Sequence, residues 1–390
     1  MNKLLLILII PALCSSQGIN FQNNTFEELL EIAKQENKIL FVDAYAQWCV
    51  PCKNMSQNVF PDSLIGEFYN ANFINAKIDM EAGEGLNIAF NYDVSAYPSL
   101  LFIDGNGKLL HKAVGFQNPE ELIEIGKMAL NPKTQLYTQM DRFIDGIIDP
   151  ESLYNVVVNL MANQDEEANM YARAYYETQE NLLTPNTIGL MYETMDSPES
   201  FEFEFLLQNE KEAEKIYQEN SISDKLDNIV LMYAIELNLR ELPESTTTEN
   251  TVAVVEKTIG FFRPKNAKEL ANYFGMLLSE KKSDFVQFEK YALAYLNTDY
   301  QRQTSDLLNG VAWLLFQHSD NKESLEKALT WALESVAIES VLSNNDTVAN
   351  LYYKLGDKNK ARIYAEIAIN LGKGAGEDIS TTEALLLKLK

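Results

Sequence analysis

Cys49 and Cys52 are separated by Val50 and Pro51, which gives a Cys-x-x-Cys pattern. On the first turn of a helix, side chains at positions i and i+3 face the same way, so these thiols can join or separate with little backbone movement. The helix N-terminus, with its orphan N–H groups and positive dipole end, stabilises a thiolate on Cys49. Cys52 lies one turn further in, where we expect it to be the more buried thiol. The pattern predicts thiol–disulfide exchange, in which Cys49 attacks a substrate disulfide and Cys52 releases the mixed disulfide.

Two other interpretations of the cysteine pair are weaker. A closed structural disulfide would remove little entropy from the unfolded chain, because the loop between the two residues is so small. A zinc half-site lacks a second ligand pair, since the chain has only one further cysteine, Cys14, and two histidines, His111 and His318. Both histidines are interpreted as residues without chemistry. The sequence predicts no metal and no cofactor.

The elements that must position the cysteines are an alternation of helices and strands. Thr25 followed by Glu28 is a capping-box pattern that starts a helix, and the apolar run 39–42 predicts a strand covered on both faces. Helices are predicted from 25 to 35, after the cysteines to 58, over 84–91 and over 120–130, and further strands over 73–78, 99–104 and 108–114. A Gly-Asn-Gly turn joins the last two strands as a hairpin. Together these elements predict a compact α/β unit.

The motif Trp-Cys-Val-Pro-Cys-Lys over 48–53 follows a strand that ends in Val42-Asp43, and Tyr97-Pro98 comes downstream. This arrangement resembles the thioredoxin superfamily over residues 22–131. The Asp-x-Tyr-Ala-x-Trp-Cys approach and the Val-Phe-Pro-Asp extension over 59–62 resemble exported bacterial members, of the type of the C-terminal reductase domain of DsbD. The resemblance implies an α/β thioredoxin fold, with a central mixed sheet flanked by helices.

The resemblance also implies roles for individual residues, beginning with the two cysteines as nucleophile and resolving thiol. Asp43 matches a buried acid whose raised pKa would let it relay the proton of the resolving cysteine. Lys77 matches the lysine that accompanies that acid. Pro98 matches a cis-proline beside the cysteines, where the preceding backbone pairs with an extended substrate segment. Trp48 matches an aromatic flank, and Gly115 a glycine on the last strand.

The sequence departs from thioredoxin itself at two places. Val50-Pro51 replaces Gly-Pro between the cysteines, and neither residue can give the thiolate a hydrogen bond or a positive charge. A less stabilised thiolate implies a more reducing couple, which favours a reductase over an oxidase. Tyr97 replaces the β-branched residue that is common before the proline, which leaves the shape of the substrate open.

Composition and the N-terminus restrict where the protein works. The 32 basic and 57 acidic residues give a formal net charge of −25, which disfavours binding to nucleic acid or to anionic membrane surfaces. Lys3, an apolar run to about Leu13 and small residues after it predict a secretory signal peptide over 1–17. A lipid anchor on Cys14 is the alternative. We therefore expect a periplasmic or secreted protein without a membrane span in its mature chain.

The remainder of the chain has predominantly helical patterns. The segment 327–336 recurs as 360–369, an offset of 360 − 327 = 33 residues, close to the tetratricopeptide period of about 34. Small alanines in both copies let paired helices approach, with Trp331 and Tyr364 filling the next space. The pattern predicts an all-α, tetratricopeptide-like domain, and a generic helical bundle is the alternative. Stacked helix pairs form concave surfaces that hold peptides or proteins, so we expect this region to bind partners.

These observations divide the chain into a signal peptide (1–17), a thioredoxin-like domain (20–131), a helical region (134–300) and tetratricopeptide-like repeats (301–390). The predicted function is that of an exported thiol:disulfide oxidoreductase that reduces disulfides of partner proteins. An external electron donor is implied, because the sequence has no second redox site. The alternatives are a disulfide oxidase or isomerase that uses the same cysteines, and a non-catalytic helical scaffold with a thioredoxin-like docking unit.

Overall fold

The computed structural model describes residues 18–218, 221–240, 242–243, 245–297 and 304–389. The predicted signal peptide, with Cys14, lies outside these residues. The described chain divides into two compact units, of which the first ends at Met195 and the second begins at Asp196. The first unit contains strands β1 (Ile39–Tyr45), β2 (Phe73–Asp79), β3 (Ser99–Ile103) and β4 (Leu109–Val114), and helices α1 (Phe26–Glu36), α2 (Val50–Asn54), α3 (Ser63–Asn72), α4 (Gly85–Asn91), α5 (Pro119–Leu130), α6 (Leu136–Ile144), α7 (Pro150–Ala162), α8 (Ala168–Glu177) and α9 (Pro185–Thr194).

The four strands form one mixed sheet in the order β2-β1-β3-β4. Strand β1 pairs parallel with β2 and antiparallel with β3, and β3 pairs antiparallel with β4 through the Gly-Asn-Gly turn. In the parallel pair, Asp43 of β1 is the register partner of Lys77 of β2. The α/β thioredoxin fold predicted from the sequence is confirmed, and the register places the predicted acid beside the predicted lysine.

Alternate residues of β1 face opposite sides of the sheet, and each side has its own apolar core. Leu40, Val42 and Ala44 belong to the core that contains residues of α1 and α4. Phe41 belongs to the other core, which contains residues of α3 and α5 and of the segment that follows the cysteines. Asp43 has the same parity as Phe41, so its side chain points to the layer that holds the cysteines.

The predicted helices and strands are present, with three differences in extent or type. Strand β1 continues to Tyr45, beyond the predicted apolar run, because Asp43 is itself buried within the layer. The helix after the cysteines changes at Met55 into a π-helical turn that extends to Val59. Helix α3 was not predicted, since its sequence contains a glycine and two asparagines, which are poor helix formers. It starts at Asp62, whose side chain accepts hydrogen bonds from the first backbone N–H groups of the helix.

Residues beyond 131 cover strand β4, which is an edge strand of the sheet. The Asn163 side chain, at the end of α7, accepts a hydrogen bond from Val114 N–H (3.1 Å) and donates one to the Lys112 carbonyl (3.2 Å). Nearby, Nδ1 of buried His111 accepts a hydrogen bond from Leu136 N–H (3.2 Å). Burial lowers the pKa of His111 to about 4, so the ring is neutral. An uncovered edge strand is a template for pairing with other chains, and these contacts cover β4.

The second unit is entirely helical within its described residues. Its helices are α10 (Phe201–Gln208), α11 (Glu210–Ile216), α12 (Ser221–Leu239), α13 (Thr248–Phe262), α14 (Ala267–Lys281), α15 (Phe285–Leu296), α16 (Ser305–His318), α17 (Lys322–Ile338), α18 (Leu342–Lys354), α19 (Lys358–Ala375) and α20 (Ser380–Lys388). The helix-rich architecture after the sheet is confirmed. In the part of the chain that the structure describes, no helix has both the length and the apolar character needed to cross a bilayer.

The two copies of the sequence repeat lie on helices α17 and α19. Helix α17 packs on α16 and α19 packs on α18, so both copies occupy the second helix of a consecutive pair. The repeated alanines, such as Ala332 and Ala365, are fully buried between the helices. The tetratricopeptide-like character of this region stays a prediction, as do the domain boundaries near residues 131 and 300.

Candidate active site

The two cysteines are joined by a disulfide at the start of helix α2. Cys49 is the N-cap, and its sulfur accepts a hydrogen bond from Cys52 N–H (3.1 Å). Pro51 occupies the first turn, where its missing N–H leaves no intrahelical hydrogen bond unmade. This arrangement places the Cys49 sulfur at the positive end of the helix, which favours a negative charge on it after reduction.

The predicted difference in burial between the two thiols is wrong for this oxidised state. Cys49 is 1% exposed and Cys52 is 2% exposed. The reason is that both cysteines, with Ala46, form a small buried cluster against which Tyr45 and Tyr97 pack. Cys49 therefore lies at the helix end, as predicted, but within a buried cluster against which aromatic side chains pack.

Asp43, Lys77 and Ser56 form a polar chain below the cysteines. The Lys77 ammonium donates to Oδ2 of Asp43 (2.8 Å) and to the Ser56 hydroxyl. Since an ammonium can only donate, the Ser56 hydroxyl accepts from Lys77 and donates its own proton to the Cys52 carbonyl (2.8 Å). The chain thus runs from the Asp43 carboxylate to the backbone of the resolving cysteine.

Asp43 is an unusual carboxylate because it is fully buried and only one of its two oxygens has a hydrogen-bond partner. Its side chain has no exposed surface, and Oδ1 has no hydrogen-bond partner. Desolvation raises the pKa of Asp43, and the positive charge of Lys77 opposes that rise without reversing it. A carboxylate with a raised pKa is a better proton acceptor near neutral pH than an exposed aspartate.

Pro98 immediately precedes β3 and is joined to Tyr97 by a cis peptide bond. The Pro98 carbonyl accepts a hydrogen bond from Gly115 N–H (2.8 Å), just after β4. Gly115 has a φ of +94°, a conformation that side chains with a Cβ rarely adopt. This hydrogen bond ties the proline loop to the end of β4.

Trp48 and Tyr97 form an aromatic pair next to the cysteines. Their rings meet edge to face, with centroids 5.9 Å apart. The Trp48 indole N–H donates to both carboxylate oxygens of Glu81 at 3.0 Å, and Gln47 donates to Asp79 (3.0 Å) on the same side. Burial raises the pKa of Tyr97, and the negative charges of Glu81 and Asp79 add to that rise. The rim of the site is therefore aromatic and acidic.

The structure brings together every residue that the sequence singled out for the site: Asp43, Trp48, Cys49, Cys52, Lys77, Tyr97, Pro98 and Gly115. Sequence reasoning missed Ser56 and Glu81. A serine four residues after Cys52 could have suggested the first, because a helical serine often bonds the carbonyl one turn earlier. No sequence signal pointed to Glu81, since it lies 33 residues from Trp48.

Comparison with known proteins places residues 26–129 in a family model described as a thioredoxin-like domain. Thioredoxin H4 of Arabidopsis thaliana is 32% identical over 100 residues, which cover 26% of this chain and 78% of that protein. The thiol:disulfide interchange protein DsbD of Pseudoalteromonas atlantica is 35% identical over 85 residues, which cover 21% of this chain and only 14% of that protein.

A solved structure with sequence similarity comes from Bacteroides thetaiotaomicron. It is the solution structure of a candidate disulphide-isomerase, 43% identical to this chain, with a TM-score of 0.28. The match covers 30% of this chain and 95% of that one.

Proposed function

The chain belongs to the thioredoxin-like family, its residues 26–129 forming a domain of the thiol:disulfide oxidoreductase type, and from this premise we propose that it is an exported reductase of protein disulfides. The observation that carries the proposal is the Cys49–Cys52 disulfide on the first turn of α2. It lies beside a cis-proline loop, and a buried carboxylate occupies the same layer.

The reaction follows from the positions of these groups. In the reduced protein, the Cys49 thiolate attacks one sulfur of a substrate disulfide, and the other substrate sulfur leaves with the electron pair. Asp43, the buried carboxylate of the same layer, accepts the Cys52 proton. The Cys52 thiolate then attacks the Cys49 sulfur and releases the substrate as a thiolate. The product is the disulfide present in the structure, and the substrate has gained two electrons.

Two features support reduction as the physiological direction. The side chains of Val50 and Pro51 offer the Cys49 sulfur neither a hydrogen-bond donor nor a charge, and the ammonium of Lys77 is paired with Asp43. The carboxylates nearest the rim, Asp79 and Glu81, repel a negative charge. A thiolate stabilised mainly by the helix N-terminus gives a more reducing couple than one with an adjacent cation.

The proposal also includes where the protein works and which partners it needs. The signal peptide predicted over 1–17 would deliver the protein to the periplasm or outside the cell. There each reduced disulfide consumes two electrons, so an external donor must re-reduce Cys49 and Cys52 after every turnover. The names of the DsbD relatives describe thiol:disulfide interchange, which fits proteins as both donor and substrate.

A pair of cysteine variants tests the reaction. The full chain should reduce disulfides of a model protein such as insulin, and neither Cys49→Ser nor Cys52→Ser should do so. The Cys52→Ser variant should retain periplasmic partners as mixed disulfides on Cys49, which mass spectrometry identifies. Cys49→Ser is the matched control, because it keeps one thiol at the site but lacks the attacking sulfur. Equal insulin reduction by Cys49→Ser would refute the proposal.

The helical second unit is proposed to select protein partners. A test chain should end after Met195 and not near 133, because Asn163 and Leu136 cover the edge of the sheet. Once circular dichroism shows that it is folded, we expect it to reduce a small disulfide at the full-length rate and to capture fewer native partners. Equal capture by the shortened chain would refute partner selection by this unit.

A further inference from the structure

The Lys77 ammonium is held on several sides in the layer below the cysteines. It donates to Oδ2 of Asp43 (2.8 Å) and to the Ser56 hydroxyl. It also lies 4.6 Å from the ring centroid of Tyr45 and 5.3 Å from that of Phe60. The Lys77 side chain is nevertheless 26% exposed. Because an ammonium is strongly hydrated and sits on a flexible stem, a partly exposed lysine leaves its carboxylate for water unless another group holds it.

Ser56 is the neutral group that anchors this ammonium to the helix of the cysteines. Its hydroxyl accepts from Lys77 and donates to the Cys52 carbonyl (2.8 Å), so the ammonium is fixed relative to the resolving cysteine. Ser56 lies in the π-helical turn over Met55–Val59, and such single turns are frequent at functional sites. The Cys52 carbonyl also accepts from Met55 N–H, so the hydroxyl is not needed to satisfy the backbone of the helix.

We propose that Ser56 is a positioning residue for the proton transfer, because it keeps the Lys77 ammonium beside Asp43 whether that carboxyl is ionised or protonated. This inference rests on the proposed function and adds a residue to its mechanism. While Asp43 is ionised, its own charge attracts the ammonium. Once Asp43 is protonated, that charge is gone, and the Ser56 hydroxyl remains as an acceptor. The ammonium then stays close enough to favour loss of the proton, and Asp43 is ionised again for the next turnover.

The proton moves from the sulfur to the carboxyl group and then to water. In the reduced protein, the Cys52 S–H bond breaks, an O–H bond forms on Asp43, and the electron pair stays on the Cys52 sulfur, which attacks Cys49. Oδ1 of Asp43 is the oxygen available for that bond, because Oδ2 accepts from Lys77 and Oδ1 has no partner among the described residues. When the carboxyl ionises again, its O–H bond breaks and the proton passes to solvent.

The test titrates the Asp43 carboxyl group in the oxidised full chain, in which the cysteines do not titrate. Carbon-13 NMR of protein labelled at its aspartates follows the carboxyl signal as the pH is varied. Burial raises the pKa of Asp43, and the positive charge of Lys77 opposes that rise. Tyr45 stays neutral near neutral pH, because burial and the charges of Asp79 and Asp43 raise its pKa. A change in the Asp43 midpoint therefore reports how firmly Lys77 is held.

Ser56→Ala removes the anchor, so the Asp43 midpoint should move to higher pH. Ser56→Thr restores a hydroxyl and should restore the parental midpoint. Asn58→Ala is the matched control, because it removes a side-chain hydrogen bond to Asn54 (2.7 Å) from the same turn, and it should leave the midpoint unchanged. At a pH below the parental midpoint, insulin reduction by Ser56→Ala should be about threefold slower than by the parent, and the two rates should converge well above it.

An Asp43 midpoint in Ser56→Ala that equals the parental one, or that lies at lower pH, would overturn the inference. A Ser56→Thr midpoint equal to that of Ser56→Ala would overturn it as well, since the hydroxyl would then not be responsible. If Ser56→Ala does not fold, the same titration of Ser56→Val against its isostere Ser56→Thr decides. The titration needs no substrate. A chain that reduces no insulin but shows the shifted midpoint therefore refutes the proposed function alone.

Discussion

Asp43→Asn preserves the shape of a buried side chain and removes its charge. In the parent, Oδ2 of Asp43 accepts from Lys77 at 2.8 Å, whereas Oδ1 has no partner. The unfolded chain exposes the same carboxylate to water. Burial raises the pKa of Asp43 in the folded protein, so the ionised form is less favourable in the fold than in the unfolded chain. An asparagine at this position can still accept from Lys77 through its side-chain oxygen.

Because the pKa of Asp43 is raised in the fold, the sign of the pH effect on stability can be worked out. The stabilising contribution of a carboxyl group with a raised pKa is fully present below its unfolded pKa of about 3.9 and is lost as pH rises through the folded pKa. Asparagine does not titrate, so the difference in stability between variant and parent should increase with pH. Leaving a buried polar atom unsatisfied costs about 1–3 kcal/mol, and more when it is charged. We expect Asp43→Asn to raise the free energy of unfolding near pH 8 by a similar amount.

The assay is urea unfolding of the oxidised proteins at pH 5 and pH 8. Asp145→Asn is the matched control, because Asp145 is exposed on the same unit, and it should change stability little at either pH. The reasoning about Asp43 would be refuted if Asp43→Asn is no more stable than the parent at pH 8, or if the difference does not change with pH. In the same variant, insulin reduction should slow by about 10²-fold or more, because general-base catalysis is typically worth that much.

Three further substitutions test the packing around the site and in the second unit. His111 should contribute a loss of about 3 kcal/mol of unfolding free energy to the parent between pH 7 and pH 4, because its pKa falls from about 6.5 in the unfolded chain to about 4 in the fold. His111→Asn should lose less in the same urea titration, and an identical slope would contradict this. Asn163→Ala should destabilise the fold by about 1–3 kcal/mol through two unpaired backbone groups of β4 and promote association in light scattering. No change in either stability or association would count against the role of Asn163 in covering the edge strand β4. Arg263→Met should destabilise the protein by about 3–5 kcal/mol, because it removes the buried ion pair between Arg263 and Asp227 at 2.6 Å. A loss below about 1 kcal/mol by thermal unfolding would disagree with that contact.

Much of the thioredoxin-like domain could be predicted from local sequence patterns. The Thr25–Glu28 capping box starts α1 as expected, since both of its hydrogen bonds form. The apolar runs give the strands because buried strands leave a local signal. Helix α3 leaves a weaker local signal in the sequence. Its start depends on the Asp62 cap, and only a few of its residues are buried.

The functional site was predictable only where a motif is local or a resemblance supplies it. The cysteine spacing indicates exchange chemistry by itself, and the resemblance supplied the roles of Asp43 and Lys77. The burial of Cys49 could not be predicted, because the buried cluster that contains it is packed against Tyr97, which lies 48 positions away in the sequence. The Glu81 and Asn163 contacts are likewise set by tertiary packing, which single-residue patterns do not encode.

The central claim is that Cys49 and Cys52 form a reducing, exchangeable couple, and its reduction potential is the most direct test. Equilibrating the purified protein with dithiothreitol buffers and quantifying the oxidised fraction gives this value. We expect a potential between about −230 and −300 mV, in the range of reducing thioredoxins. A value above about −200 mV would identify an oxidant, and a disulfide that resists reduction far below −300 mV would identify a structural bond; either result would contradict the account.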